Sequence, residues 1–203
     1  MSEPLPDKTE YTREEYLAIE DRADYKSEYH QGEIFAMAGG SRNHSVICVN
    51  VIRRLSEAVD DKDCIVFDGN MKLDIREADA ILYPDSMVVC GDVEFYQNRT
   101  DAVGNPALIV EVISPSTESF DRGKKFQLYR LIPSFREYLL ISQDSPTVER
   151  FFKQAENRWL YSVSNGVDGS VTVQSVGGEL SLNHIYRKVA FDDANGNHPP
   201  KQR

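Results

Sequence analysis

The chain has 203 residues, of which 33 are acidic and 23 basic, giving a formal net charge of −10. This length fits one domain, and no apolar run approaches the roughly 18 residues that a membrane-spanning helix needs. An acidic balance of this size excludes indiscriminate polyanion binding over the whole surface, because neutralising phosphates takes a basic face.

From the N-terminus, positions 1–10 are polar and acidic, without the basic and apolar regions of a secretory signal, and are expected to be disordered. Thr12-Arg13-Glu14-Glu15 has the capping-box pattern and opens a short helix running to about Ile19. Glu28 to Met37 reads as a first strand with Gly32 as a bulge. In Asn43 to Ala58, Ile47, Val51 and Leu55 recur at helical spacing with Cys48 and Ile52 beside them, which predicts a packed amphipathic helix. Strands follow at Cys64–Phe67 and Met71–Ile75, with Asp68-Gly69-Asn70 as the turn between them, and then at Ser86–Cys90 and Ala107–Ile113. The polar stretch from Gly91 to Pro106 is long enough for a flap or binding loop.

A second long helix is expected from about Glu118 to Leu131, ending before Pro133. Strands follow at Arg136–Ser142, Val148–Phe152, Trp159–Val163 and Val171–Val173, the later ones meander-like and half exposed, and the tail 192–203 reads as disordered. The order of elements predicts a single domain over 11–191 of mixed α/β (α+β) class, a mixed sheet flanked by helices with additional C-terminal strands. Cys48, Cys64 and Cys90 are odd in number, far apart and in apolar surroundings, and so read as reduced core residues. Reduced thiols and the absence of a signal point to the cytoplasm.

The chemistry begins with Glu111, the one charge in the apolar run Ala107 to Ile113. A carboxylate taken out of water without a partner costs several kcal/mol or becomes protonated, so Glu111 calls for a counter-charge. Asp85 repeats the pattern at the mouth of the Ser86–Cys90 strand. Two acids at the ends of two core strands point to a shared cation. On the following helix, Asp121, Lys125, Leu128, Tyr129 and Ile132 fall on one face, which turns a carboxylate and an ammonium inward. Two segments offer local positive charge: Ser41 to Leu55 has Arg42, Arg53 and Arg54 without an acid, and Asp121 to Arg136 has five basic residues against one acid.

Glu28 with Gly32-Glu33, His44, Pro84-Asp85, the block Glu111-Val112-Ile113-Ser114-Pro115-Ser116, Asp121 with Lys125 and Tyr129, and Glu137-Tyr138 together resemble the PD-(D/E)XK nuclease superfamily. More narrowly, they resemble the Uma-two-type restriction endonuclease family, over roughly Thr12 to Ile185. In the superfamily a lysine stands two residues after the strand glutamate, where this chain has Ile113. In the narrower family a lysine on the next helix takes that place, a position Lys125 fits. The resemblance implies a restriction-endonuclease-like core and a DNA endonuclease, with Asp85 and Glu111 holding Mg²⁺ or Mn²⁺ and Lys125 supporting catalysis. It also implies a third acidic contribution from Glu28, and supporting roles for His44 and for Asp121, which would orient Lys125.

Carboxylates are hard donors suited to those ions. Arg122 and Lys124, off the inward face, are the expected phosphate contacts, and the need for two active sites to cut both strands of DNA points to a homodimer. Two other readings fit the residues: a non-catalytic nuclease-fold module for DNA binding or assembly, and a metal-dependent hydrolase of a smaller phosphate compound, which suits the acidic surface.

Overall fold

The computed structural model describes residues 9–115 and 117–191. The segments expected to be disordered lie outside the described residues, apart from positions 9 and 10. Helix α1 (Arg13–Glu20) begins at the capping box: the Thr12 side chain accepts from the Glu15 amide at 3.2 Å, and the Glu15 carboxylate accepts from the Thr12 amide at 2.8 Å. Then come β1 (Ser27–His30), β2 (Glu33–Ala36), α2 (Arg42–Val59), β3 (Cys64–Asp68), β4 (Lys72–Ile75), β5 (Ala80–Leu82), β6 (Ser86–Cys90), β7 (Ala102–Val103) and β8 (Leu108–Ile113). Helix α3 (Glu118–Phe120) runs through a π-helical turn, Asp121–Lys125, into α4 (Phe126–Tyr129). The chain closes with β9 (Glu137–Ser142), β10 (Thr147–Ala155), β11 (Arg158–Asn165), β12 (Ser170–Val173), β13 (Gly178–Ser181) and α5 (Leu182–Ile185).

The strands form two mixed sheets, β2-β1-β5-β4-β7 and β11-β10-β9-β8-β6-β3, and a separate β12-β13 hairpin. The six-stranded sheet is central, and its alternating side chains divide the core in two. On one face Val88, Leu108, Val110, Val112, Leu139 and Ile141 pack on Ile47, Val51, Leu55 and Val59 of α2, with α5 and the β12-β13 hairpin closing the layer. On the other, Met87, Val89, Ile109, Ile113, Tyr138 and Leu140 meet Leu73, Ile75 and Leu82 of the five-stranded sheet and Leu128, Tyr129 and Phe135. Glu111 lies between Ile109 and Ile113 in sequence, so strand alternation turns it to this second face, where the two sheets and α4 converge.

Three expectations are corrected. The single strand over 28–37 with a bulge is instead the β1-β2 hairpin, because Gln31 (φ 49°) and Gly32 (φ 88°) both take left-handed backbone and make a two-residue turn. Residues 68–70 turn the chain between β3 and β4 as expected, carrying it from one sheet to the other. Cys64 and Cys90 are a directly opposed pair on antiparallel β3 and β6 and form a disulfide, leaving Cys48 as the free thiol among the described residues. Cys90 is exposed rather than core, and the disulfide removes the premise from which a reducing compartment was inferred. The 91–106 stretch is no open flap: β7 adds to the five-stranded sheet, and Arg99 is paired with Asp21 and Asp101. No helix among the described residues is long and apolar enough to cross a membrane.

Where β9 enters the sheet, the fully buried Glu137 carboxylate accepts from Arg150 and from the Ser175 amide and hydroxyl at 2.8 and 2.7 Å. Arg150→Met leaves that carboxylate buried without its cation. It is expected to cost about 3–5 kcal/mol in urea unfolding, whereas Arg53→Met on the exposed side of α2 shifts stability by less than about 1 kcal/mol.

Candidate metal and phosphodiester site

Three elements deliver carboxylates to the point where β8 leaves the core. Glu111 comes from β8 itself and Glu28 from β1, while Asp121 comes from the π turn. Lys125, one helical turn beyond Asp121, places its ammonium among them: Nζ lies 3.0 Å from Glu111 Oε1, 3.3 Å from Glu28 Oε1 and 3.5 Å from Asp121 Oδ1. All four side chains are buried. Hydrogen bonds fix the frame. The Tyr129 hydroxyl donates to Glu111 Oε1 at 2.6 Å, the Tyr83 amide donates to Glu28 at 3.1 Å, and the Tyr138 hydroxyl donates to the Asp121 carbonyl at 3.1 Å.

Asp85 joins from the next strand. It stands one residue before β6, which pairs with β8 through Ser86 opposite Val110, so the register brings it level with Glu111. Its Oδ2 accepts from the amide of Val112, the residue after Glu111, at 2.7 Å, and its Oδ1 lies 3.1 Å from Nε2 of His44 at the start of α2. The other ring nitrogen of His44 is 3.6 Å from the Cys48 sulfur, one turn along the same helix. Gly40 makes this placement possible: a Cβ there would stand 2.7 Å from His44 Nδ1.

The electrostatics follow from three carboxylates gathered around one ammonium, with Asp85 beside Glu111. Burial raises the pKa of Glu111 to about 8 against the pull of Lys125, and the nearby Asp85 and Asp121 push it the same way. Burial works against the charge on Lys125, but Glu111, Glu28 and Asp121 outweigh it and hold the proton on Nζ more firmly than on a free lysine. The Asp85 hydrogen bond raises the His44 pKa. Burial pushes the Cys48 thiol well above its ordinary range, so without a metal it is protonated and a poor nucleophile. A cluster with more carboxylates than cations, one of them kept neutral by burial, has the electrostatics of a cation site.

Glu28, His44, Asp85, Glu111, Asp121 and Lys125 are thus brought together. Arg122 and Lys124 are not part of this cluster. The Arg122 guanidinium is engaged by Glu118 at 2.8 Å and by Glu149 of β10, while Lys124 is exposed. Cys48 was not anticipated as a neighbour of the site, although the i,i+4 spacing from His44 on a predicted helix carried the signal. The Tyr83 amide had no signal, since a backbone donor to Glu28 is visible only once β1 and the Tyr83 segment are placed.

Residues 13–183 match the family described as "Uma2: Putative restriction endonuclease". The chain belongs to the Uma2 family. Two relatives from Synechocystis sp. extend that likeness over most of the chain. "Uncharacterized protein slr1290" is 36% identical over 193 residues, spanning 94% of this chain and 97% of its own length. "Uncharacterized protein sll1609" is 40% identical over 160 residues, 79% of this chain and 90% of its own length. The fold is that of a crystal structure from Anabaena variabilis, titled a putative nuclease belonging to DUF820, with a TM-score of 0.68 at 19% identity over 87% of this chain and 97% of that one.

Between pH 4.5, the ordinary value for a glutamate, and about 8, the folded protein holds a proton on Glu111 that the unfolded chain has released. Metal-free protein is therefore expected to lose stability as pH rises through that window, and Glu111→Gln should flatten the slope. Urea midpoints across the window check this; a midpoint that climbs with pH overturns it.

Proposed function

We propose that this Uma2 protein is a divalent-metal-dependent DNA endonuclease that hydrolyses phosphodiester bonds. One observation carries the reading: the Lys125 ammonium is buried among Glu28, Glu111 and Asp121 with Asp85 alongside, a set in which acids outnumber cations. Oxygen donors of this kind fit Mg²⁺ or Mn²⁺, with Asp85 and Glu111 as the residues that would hold it. When bound, such an ion acidifies a water and offsets charge on phosphoryl oxygens.

The chain's own groups supply the rest. Lys125 keeps its proton on Nζ, so it acts as a fixed positive donor that can orient a water or meet charge developing on phosphate. Asp121 and Glu28 hold that ammonium in place. Tyr129 fixes the direction of the Glu111 carboxylate, and the Val112 amide does the same for Asp85. His44, partly exposed and bonded to Asp85, is placed to carry a proton at the edge of the site.

The net charge of −10 favours a second reading, a metal-dependent hydrolase of a smaller phosphate compound that needs no extended basic face. Plasmid DNA, single-stranded DNA, RNA and nucleotides incubated with Mg²⁺ or Mn²⁺ separate the two. Cleavage of DNA is expected, lost in Asp85→Ala and in Glu111→Gln. No turnover on any of these substrates would sink both readings and leave a non-catalytic module with a buried ion network.

Lys125→Met keeps the length and packing of the stem and removes the charge. It is expected to lower turnover at saturating Mg²⁺ by 100-fold or more, about 2.7 kcal/mol or above in transition-state stabilisation. Lys124→Met, exposed and outside the cluster, should leave turnover within a few-fold and weaken only DNA affinity. Equal turnover by the Lys125 variant and the unmodified protein would refute the catalytic role.

If Lys124 contacts a phosphate, Lys124→Glu should weaken DNA binding and reduce the slope of log affinity against log salt by about one unit or more. Arg122→Glu should be less informative about DNA, since it also breaks the pairing with Glu118 and Glu149. Fluorescence anisotropy at several salt concentrations reads both; an unchanged slope for Lys124→Glu would make it a solvated charge.

A further inference from the structure

We propose that His44, Cys48 and Asp85 form a second cation site, selective for a borderline transition metal of the Zn²⁺ class, beside the Asp85 and Glu111 carboxylates. One ligand atom from each residue lies within 4.8 Å of the others. The nearest pairs are His44 Nε2 with Asp85 Oδ1 at 3.1 Å and His44 Nδ1 with Cys48 Sγ at 3.6 Å. Bonds of about 2.0–2.3 Å in tetrahedral geometry set ligand atoms roughly 3.3–3.8 Å apart; because one imidazole nitrogen serves one ion, a small rotation of the ring or of the Cys48 side chain is what closes the triangle from within 4.8 Å.

The three ligands are held by different means. His44 and Cys48 share one face of α2 at i,i+4, and Gly40 leaves room for the imidazole, because a Cβ there would collide with Nδ1. Asp85 is fixed through Oδ2 by the Val112 amide, which leaves Oδ1 on the histidine side. The His44 and Asp85 side chains remain 25% and 21% exposed, so an ion has a route in and a position open to water. A sulfur, a nitrogen and an oxygen make a donor set that Mg²⁺ disfavours and Zn²⁺ accepts, and loading it releases the thiol proton. The site does not depend on phosphodiester chemistry. It stands or falls separately from the nuclease reading, although the two share Asp85.

The test is a Co²⁺ titration of the full chain with its disulfide intact. The expected result is one equivalent of Co²⁺ showing a near-ultraviolet thiolate-to-cobalt band with visible tetrahedral bands, displaced by Zn²⁺ and not by a large excess of Mg²⁺. Cys48→Ser should abolish the thiolate band, and His44→Gln should weaken Zn²⁺ binding beyond the roughly 10–100-fold that loss of an outer-shell partner costs. The double variant Cys64→Ser/Cys90→Ser should retain the band, which excludes those sulfurs as its source. Glu111→Gln should also retain it while losing Mg²⁺-dependent cleavage, so failure of one reading is distinguishable from failure of the other. Absence of the band in the unmodified protein, its persistence in Cys48→Ser, or its displacement by Mg²⁺ would each overturn the proposal.

Discussion

The interior of this protein is organised around one ammonium. Without Lys125, three carboxylates from β1, β8 and the π turn would share a dry space with no counter-charge, an arrangement that costs several kcal/mol for each ion removed from water. With it, the same groups tie β1 of one sheet to the centre of the other. The π turn spanning Asp121–Lys125 is where this is arranged, and π-helical irregularities tend to occur at functional positions. Its distortion is braced by Tyr138, which takes up the Asp121 carbonyl, and by Tyr129, which reaches Glu111.

Much of this was legible because burying a charge leaves a mark in the sequence. Glu111 stands out in an apolar strand, and the inward phase of Asp121 and Lys125 follows from helical periodicity even though the helix is locally widened. The convergence of Glu28 with this pair was not legible from spacing and rested on resemblance, since β1 reaches Lys125 only through tertiary packing. The β1-β2 turn was misread because a Gln-Gly pair with left-handed backbone is a weaker hairpin signal than Asn-Gly. The disulfide escaped because strand register, not cysteine spacing, decides which sulfurs meet. Arg122 reads as a free cation on its helix, and only the placement of β10 supplies Glu149.

The acidic surface acquires a more specific meaning once the pairs are known. Arg53 and Arg54 are both drawn to Glu57, Arg122 to Glu118 and Glu149, and Arg99 to Asp21 and Asp101. Much of the positive charge counted in the two basic segments is therefore already neutralised within the fold. Among the described residues of those segments, Arg53, Arg54, Arg122 and Lys125 are each paired with an acid. Recognition of any polyanion would rest on individual contacts rather than on the summed charge of either segment.

The parallel pairing of β8 with β9 has a consequence for when the site comes into being. Leu108 pairs with Glu137 and Ile113 with Ser142 only after the intervening helical segment has crossed over, and Glu28 is brought in from far upstream. Contacts so distant along the chain close late, because loop-closure entropy must be overcome before they contribute any stability. Glu111, Asp121 and Lys125 lie close along the chain, so the contact that closes the largest loop in the cluster is the one between Lys125 and Glu28. A nascent or partly folded chain carries the residues of the site without their geometry, so any hydrolytic capacity would be confined to the finished molecule.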